Sequence, residues 1–275
     1  METKFEKIGV GLITCDRPEF FKISYDSLSH VIENKIVDCF VVNDGEIEIN
    51  VIGENYKKTE GKTGVAKAKN IALKHFIDLN YTHIFLMEDD VKIKNSEVFD
   101  AYIQASKQTG IKHFNYALHG NHNLDQFGVP TIRKTVKYPD STISIDLYPN
   151  VLGAFSYYHI DTLKDAGLMD ECFYNALEHV DHTYQIIKKG YHPPFRWFAD
   201  ITNSSQYLSD IVPDHQQSKI RNNENFQKVF KDGLDNFIKK NKFSVVNGYG
   251  PSEDISTEDE TIKVLRNIWK KHHLK

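Results

Sequence analysis

The sequence predicts an α/β fold with a mainly parallel sheet flanked by helices and a helical extension at the C-terminus. Three observations carry this. Short apolar β-type runs alternate with longer helical patterns through the first half of the chain, as strand–helix–strand units do. Each of the first three apolar runs stops abruptly in a polar cluster. And 275 residues, 40% hydrophobic and 26% charged, supply enough apolar material for one large core.

Taken in order, Ile8 to Thr14 (IGVGLIT) reads as a buried first strand. Arg17-Pro18 opens a helix, with proline suited to a first turn and Asp16 available as its cap. Phe20, Ile23, Leu28 and Val31 give that helix an apolar face. Val37 to Val42 is a second strand, halted by the turn signal Asn43-Asp44-Gly45. Thr63 to Asn80 is helical, with a stripe of Ala66, Ile71, Ala72 and Phe76. Tyr81 to Met87 is a third buried strand, and it runs into Glu88-Asp89-Asp90. In open α/β sheets the ligand crevice lies beyond the carboxyl ends of the strands, where all three polar clusters fall.

The second half is less regular. A helix is predicted over Ser96 to Thr109, a strand near His113 to Leu118, and an alternating, antiparallel-type strand over Thr142 to Leu147. Asp161 to Ala166 and Glu178 to Lys189 read as helices. Asn222 to Lys240 is an amphipathic helix with Phe226, Val229, Phe230, Leu234 and Phe237 at three- and four-residue spacing. Asn247 to Ser256 is a linker, and a final helix runs to Lys270.

Composition removes several function classes. A net charge of −4 provides no field for nucleic acid. No apolar run is long enough for a transmembrane helix, and METKFEKIGVGLIT lacks a signal-peptide layout. Cys15, Cys39 and Cys172 are odd in number and widely spaced, which speaks against a disulfide framework or a cysteine zinc site. A cytoplasmic location is the expectation. The basic tail from Trp269 to Lys275 reads as a solvated helix end and leaves peripheral membrane contact open.

The chemistry centres on Glu88-Asp89-Asp90. Three consecutive carboxylates beyond a buried strand repel one another unless a cation sits among them, and a hard divalent ion, Mn²⁺ or Mg²⁺, is the natural partner. Thr14-Cys15-Asp16-Arg17-Pro18 offers hydroxyl, carboxylate and guanidinium groups at a helix start, suited to a nucleotide. Asp44 stands where it can accept from a base N–H. Gly61 to Asn70 joins a glycine-containing loop to a helix N-terminus bearing lysines, a site for phosphate. It is not a Walker motif, because Tyr56 occupies the leading glycine position.

These segments together resemble family-2 glycosyltransferases with the GT-A fold. The corresponding motifs here are Thr14 to Pro18, Asn43-Asp44-Gly45, Gly64 to Asn70, and Glu88 to Asp90 within FLMEDDV. The last is also similar to the Glu-Asp-Asp motif of N-acetylglucosaminyltransferases. The resemblance continues through Gly153-Ala154-Phe155 and Leu163 to Glu171, and through Glu178-His179-Val180-Asp181. It implies one GT-A domain over residues 1–243, with a nucleotide-binding half (1–95) and an acceptor/sugar half (96–243), followed by a linker and helix (244–275). It further implies nucleotide contacts from Thr14, Arg17, Asp44, Lys69, Glu88 and Asp89. Asp90 and a late histidine, His215, would hold the metal, and Gly153, Ala154 and Phe155 would line the donor sugar and acceptor. Glu178 is the first choice for the base that deprotonates the acceptor hydroxyl, then Asp181; His179 replaces the family's usual carboxylate, and imidazole is itself a competent base. His119, His122 and His192 read as surface or core polar residues.

The implied activity is metal-dependent, inverting transfer of a hexosyl or N-acetylhexosaminyl group from a nucleotide sugar, most simply a UDP-sugar. The acceptor would be a hydroxyl of a glycan, lipid-linked or polymer molecule. A sugar nucleotidyltransferase is one alternative, although Thr14 to Pro18 lacks its glycine-rich signature. A non-catalytic carbohydrate- or nucleotide-binding module is the other.

Overall fold

The alternation of the first half folds as β1 (Ile8–Thr14), α1 (Pro18–Glu33), β2 (Asp38–Asn43), β3 (Tyr56–Lys58), α2 (Val65–Asp78) and β4 (His83–Glu88). A computed structural model describes residues 6–51, 55–139, 142–212 and 224–274. The chain continues through β5 (Val91–Ile93), α3 (Val98–Thr109), β6 (His113–Asn115), β7 (Lys134–Lys137), β8 (Ser144–Tyr148) and β9 (Phe155–His159). It ends with α4 (Ile160–Ala166), α5 (Glu178–Lys188), β10 (Phe198–Ile201), β11 (Leu208–Asp210), α6 (Phe226–Asn241) and α7 (Glu258–His273).

The main sheet has the order β3-β2-β1-β4-β9-β6. Its first four strands are mutually parallel, and β9 and β6 are antiparallel to their neighbours. Helices cover both faces, so the central strands are buried on both sides and read as apolar runs rather than alternations. Side-chain alternation on β4 sorts Phe85 and Met87 into one core and Ile84 and Leu86 into the other. The first core gathers residues of α1, α3 and α7; the second gathers those of α2, α4 and α5. A third, around Phe173, Leu177, Phe195, Leu234 and Phe237, lies where α5 meets α6.

Local differences from the sequence reading have physical causes. Asp16 does not cap α1. It takes a left-handed conformation (φ 53°), and its Oδ1 accepts from the backbone N–H groups of Glu46 and Ile47 at 2.7 and 2.9 Å. Pro18 at the first helical position supplies the helix start instead. The buried face of α1 runs through Phe21, Ser24, Leu28 and Val31, while Ile23 is 45% exposed. The third-strand region after α3 is only three residues long, and β9 between β4 and β6 was not anticipated.

The C-terminal helix α7 begins with a capping box, in which the Thr257 side chain accepts from the Glu260 N–H and Glu260 accepts from Thr257. Leu265 and Ile268 bury it against the first core. No described helix is long and apolar enough to cross a membrane.

Candidate functional site

Parallel register brings the polar clusters to one level. Thr14 at the end of β1 pairs with Asn43 of β2, and Ile13 pairs with Glu88 of β4, so the residues after each strand emerge together. There they border a cavity of about 730 Å³. Thr14, Asp16, Arg17, Asp44, Gly64 and the whole Glu88-Asp89-Asp90 triplet line it. Gly153, Ala154, Glu178 and His179 line it from the second half of the chain.

The acidic triplet meets two protein cations, which the sequence alone did not reveal. Arg17 forms an ion pair with Asp89 and a second, at 3.1 Å, with Asp90. The Thr14 hydroxyl donates to the other Asp89 oxygen at 2.6 Å. Burial, reinforced by Asp90, pushes the Asp89 carboxyl up to about 7; Arg17 and Thr14 offset this only in part. Asp90 stays below the usual carboxylate range: burial opposes its charge, but His119 and Arg17 outweigh it. Its second oxygen, Oδ1, is buried and has no hydrogen-bond partner among the described residues.

Glu88 turns the other way and accepts an ion pair from Lys69 at 2.7 Å. Lys69 is 1% exposed and also reaches Glu178 Oε1 at 3.0 Å and the Gly153 carbonyl at 3.1 Å. It lies beneath the cavity rather than on its wall. Burial works against its charge, but Glu88 and Glu178 raise its pKa above the ordinary lysine value. The same contacts hold the Glu178 carboxyl far below the carboxylate range, against the effect of burial.

On the nucleotide side, Asp44 organises the loop that leads into α2. Its Oδ1 accepts from the Thr59 hydroxyl and from the Thr63 N–H and hydroxyl, and its Oδ2 accepts from the Gly64 N–H at 2.9 Å. Gly64 has φ 96°, and a Cβ there would stand 2.6 Å from Tyr174, so no other residue fits without strain. Asp16, held at about 2 by the Ile47 and Glu46 N–H groups and Lys62 despite partial burial, pairs with Lys62 at 2.9 Å.

Two sequence-derived residues lie elsewhere, and a third is not among the described residues. Asp181 is 1% exposed and accepts from Lys240, Asn241 and Gln185, which tie α5 to α6. It does not border the cavity. Phe155 is fully buried in the first core. His215 falls outside the described residues.

The remaining pair of candidates, Glu178 and His179, are in contact. His179 Nδ1 lies 3.0 Å from Glu178 Oε1, and its ring rests on Gly153, where a Cβ would come within 2.7 Å of it.

The structure adds His119 and Asp210. Pairing of β11 with β5 sets Asp210 opposite Val91, one residue past Asp90. Asp210 Oδ1 is 2.8 Å from His119 Nδ1, and its Oδ2 accepts from the Gly120 N–H at 2.7 Å. Burial opposes a charge on His119, but Asp210 and Asp90 raise its pKa above the ordinary imidazole value. Its one sequence signal, a place just past a strand end, was diluted among thirteen histidines.

Asp90 is therefore the residue with spare capacity for a cation: one buried carboxylate oxygen at the cavity has no partner. Hard oxygen ligands suit Mn²⁺ or Mg²⁺, which take one or two carboxylates and fill the rest of their shell with phosphate and water. Among the described residues no group of three or more His, Cys, Asp and Glu is arranged to hold a metal by itself.

No protein-family model matches the chain, and no curated protein matches it in sequence. Solved structures match in fold. GalNAc-T7 with UDP, GalNAc and Mn²⁺ aligns with a TM-score of 0.51 at 10% identity, covering 99% of this chain and 57% of that one. A Drosophila β1,4-galactosyltransferase 7 mutant in complex with manganese, UDP-Gal and xylobiose aligns at 0.48 and 14% identity, covering 81% and 78%. The mannosyltransferase PcManGT from Pyrobaculum calidifontis, with GDP-Man and Mn²⁺, aligns at 0.41 and 10%, covering 61% and 49%. At such identities the likeness is one of fold: the chain has the mixed α/β, mainly parallel architecture of GT-A glycosyltransferases.

Proposed function

We propose that the chain is a metal-dependent glycosyltransferase that moves a sugar from a nucleotide-sugar donor, a UDP-sugar by preference, to an acceptor hydroxyl with inversion. The observation that carries this reading is Asp90. It stands just past β4 beside the Arg17–Asp89 clamp, with one buried oxygen that has no hydrogen-bond partner among the described residues. The motif resemblance to family 2 and the shared GT-A fold support it; GalNAc-T7 itself was found with UDP and Mn²⁺.

Asp90 would hold the ion, and His215 is proposed as a further ligand. The ion's contribution, when bound, is to offset the charge growing on the departing diphosphate. The chain's own residues do the rest. Asp44, whose Oδ2 accepts from the Gly64 N–H, would face the uracil, and the N-terminus of α2 after Gly64 offers N–H groups and a favourable dipole to phosphate. Lys69 acts from below by neutralising Glu88 and Glu178 rather than by touching the donor.

The proton of the acceptor hydroxyl is assigned to His179. Glu178 is committed to Lys69 and has little affinity for a proton, and Asp181 is remote from the cavity. His179 has the arrangement a general base needs: Nδ1 is anchored on a carboxylate, which orients the ring and leaves Nε2 as the proton acceptor.

Donor screening tests the whole reading. UDP-, GDP-, CMP- and dTDP-sugars are compared with and without Mn²⁺ by thermal shift and by slow nucleotide release. Metal-dependent stabilisation by the UDP set, with UDP released and both effects lost in Asp90→Ala, is the expected result. Stabilisation without release from any donor would make the chain a binding module, and pyrophosphate-dependent UTP formation would make it a nucleotidyltransferase.

A further inference from the structure

The cavity has two chemically different ends. One is the polar nucleotide end described above. The other, beyond His179, is walled by Val151, Leu177, Val180, Phe195, Val229 and Phe230. This wall is the surface of the third core, the same cluster that packs α5 against α6. Leu234 and Phe237 of α6 are buried in that core, but the first turns of the helix are not. Phe226, Val229 and Phe230 are only half-buried, and the Phe226 and Phe230 rings lie 5.9 Å apart along the cavity. Arg196 is the cation at this end, and it is engaged by Glu253 and the Val245 carbonyl.

A second, independent observation lies at the rim. His122 and Asn150 border the cavity, and the loop that follows His122 is pinned there through Asn123, which exchanges hydrogen bonds with the backbone of Asn150. That loop raises Phe127 (80% exposed), Val129 (55%) and Ile132 (41%) into solvent. The loop that carries these exposed apolar residues thus starts at the rim of the cavity.

We propose that the acceptor is an amphiphile: a hydroxyl-bearing polar head, presented to His179, on an aliphatic or aromatic tail that lies along Val151, Phe195 and Phe230. This rests on the transferase reading for the direction of the head, while the apolar subsite stands on the cavity alone. A purely polar oligosaccharide would leave this wall wet and gain nothing from it.

The test is a binding series with methyl, butyl and octyl β-glucoside, each below its aggregation threshold, measured by calorimetry on the full chain with UDP and Mn²⁺. Affinity should rise more than about tenfold from methyl to octyl, the gain expected from burying roughly two methylenes or more. Phe230→Asp should flatten the series, and the milder Val229→Ser should reduce its slope. Affinity that is absent or independent of chain length overturns the proposal.

Nucleotide release from the UDP-sugar is followed separately. Release with a flat series sinks the amphiphile and leaves the transferase; a steep series without release does the reverse. Octadecyl glucoside in phosphatidylcholine vesicles distinguishes the source of the tail. Loss of co-sedimentation in Phe127→Asp identifies a bilayer-borne acceptor, and equal behaviour identifies a soluble one.

Discussion

Replacing Lys69 with Met keeps the length of the side chain and removes a buried charge on which two carboxylates depend. The ammonium lies 2.7 Å from Glu88, 3.0 Å from Glu178 and 3.1 Å from the Gly153 carbonyl. Glu88 is partly exposed and can turn to water, but Glu178 is 6% exposed and cannot. Breaking a buried pair from one side costs about 3–5 kcal/mol, because the remaining charge is left uncompensated. For a chain of this size about 2–4 °C accompanies each kcal/mol, so the melting temperature should fall by roughly 10 °C at neutral pH.

The pH dependence gives the reasoning a second check. In the native protein the Glu178 carboxyl is held below its ordinary value. Its contribution is complete above about pH 5, past the unfolded pKa, and is lost as pH falls through the folded value. Without Lys69, burial dominates and raises the folded pKa, so the variant suffers most when Glu178 must be charged. The gap between the two melting temperatures should therefore narrow from pH 7.5 to pH 5. Adding Glu178→Gln should recover about 2 kcal/mol as a coupling energy. Melts followed by circular dichroism suffice. A variant within about 2 °C of the native protein at pH 7.5, or a gap that widens on acidification, refutes the account.

Two further outcomes follow from burial and close packing. His182 and His192 are each 1% exposed, and burial lowers both pKa values to about 4. The unfolded chain takes up these protons first, so stability should fall below pH 7 by about 1 kcal/mol per histidine by pH 5.5 and level off near pH 4. Urea unfolding should show this slope, and His192→Gln should remove one histidine's share of it, about 1 kcal/mol at pH 5.5; a flat profile contradicts the assignment. Gly153→Ala sets a Cβ 2.7 Å from the His179 ring, which must move. Turnover of donor and acceptor should drop about 10²-fold with donor KM little changed, as misplacing a base does. An unchanged kcat would remove His179 from the chemistry.

The part of this site built on the ends of β1, β2 and β4 was legible because its logic is local. Each parallel strand is an uninterrupted apolar run with a polar cluster at its carboxyl end, and the run Ile8 to Thr14 read from sequence is β1 to the residue. Once the strands are parallel and in register, Thr14, Asp44 and Glu88 have no choice but to meet. The rest was not legible for the opposite reason. β5, β10 and β11 are three or four residues long, and their meaning lies in antiparallel partners far along the chain. Asp210 reaches the site only because it sits across from Val91, and nothing near residue 210 announces that. Asp181 illustrates the converse: a carboxylate one turn into α5 matches the motif. Yet that turn points it at Lys240 and Asn241 of α6.

Charge accounting at the triplet joins the two sides. Reading along the chain, Glu88, Asp89 and Asp90 demand a cation, and a divalent ion is the economical answer. Folding changes the question, because Lys69 comes up under Glu88 and Arg17 closes over Asp89 and Asp90. If protein cations satisfied the cluster completely, the acidic motif would be a structural device with no need of a ligand. They do not. Lys69 is shared with Glu178, Arg17 between two aspartates and His119 between Asp210 and Asp90, so five carboxylates face three cations. Among the described residues Asp90 is the one of these carboxylates with a buried oxygen that accepts no hydrogen bond. A buried carboxylate oxygen without a donor is costly to maintain. The cations that hold the cluster together thus leave one Asp90 oxygen at the cavity without a protein donor among the described residues. That oxygen, rather than the bare count of acidic residues, is the physical argument for the metal-dependent reading proposed above.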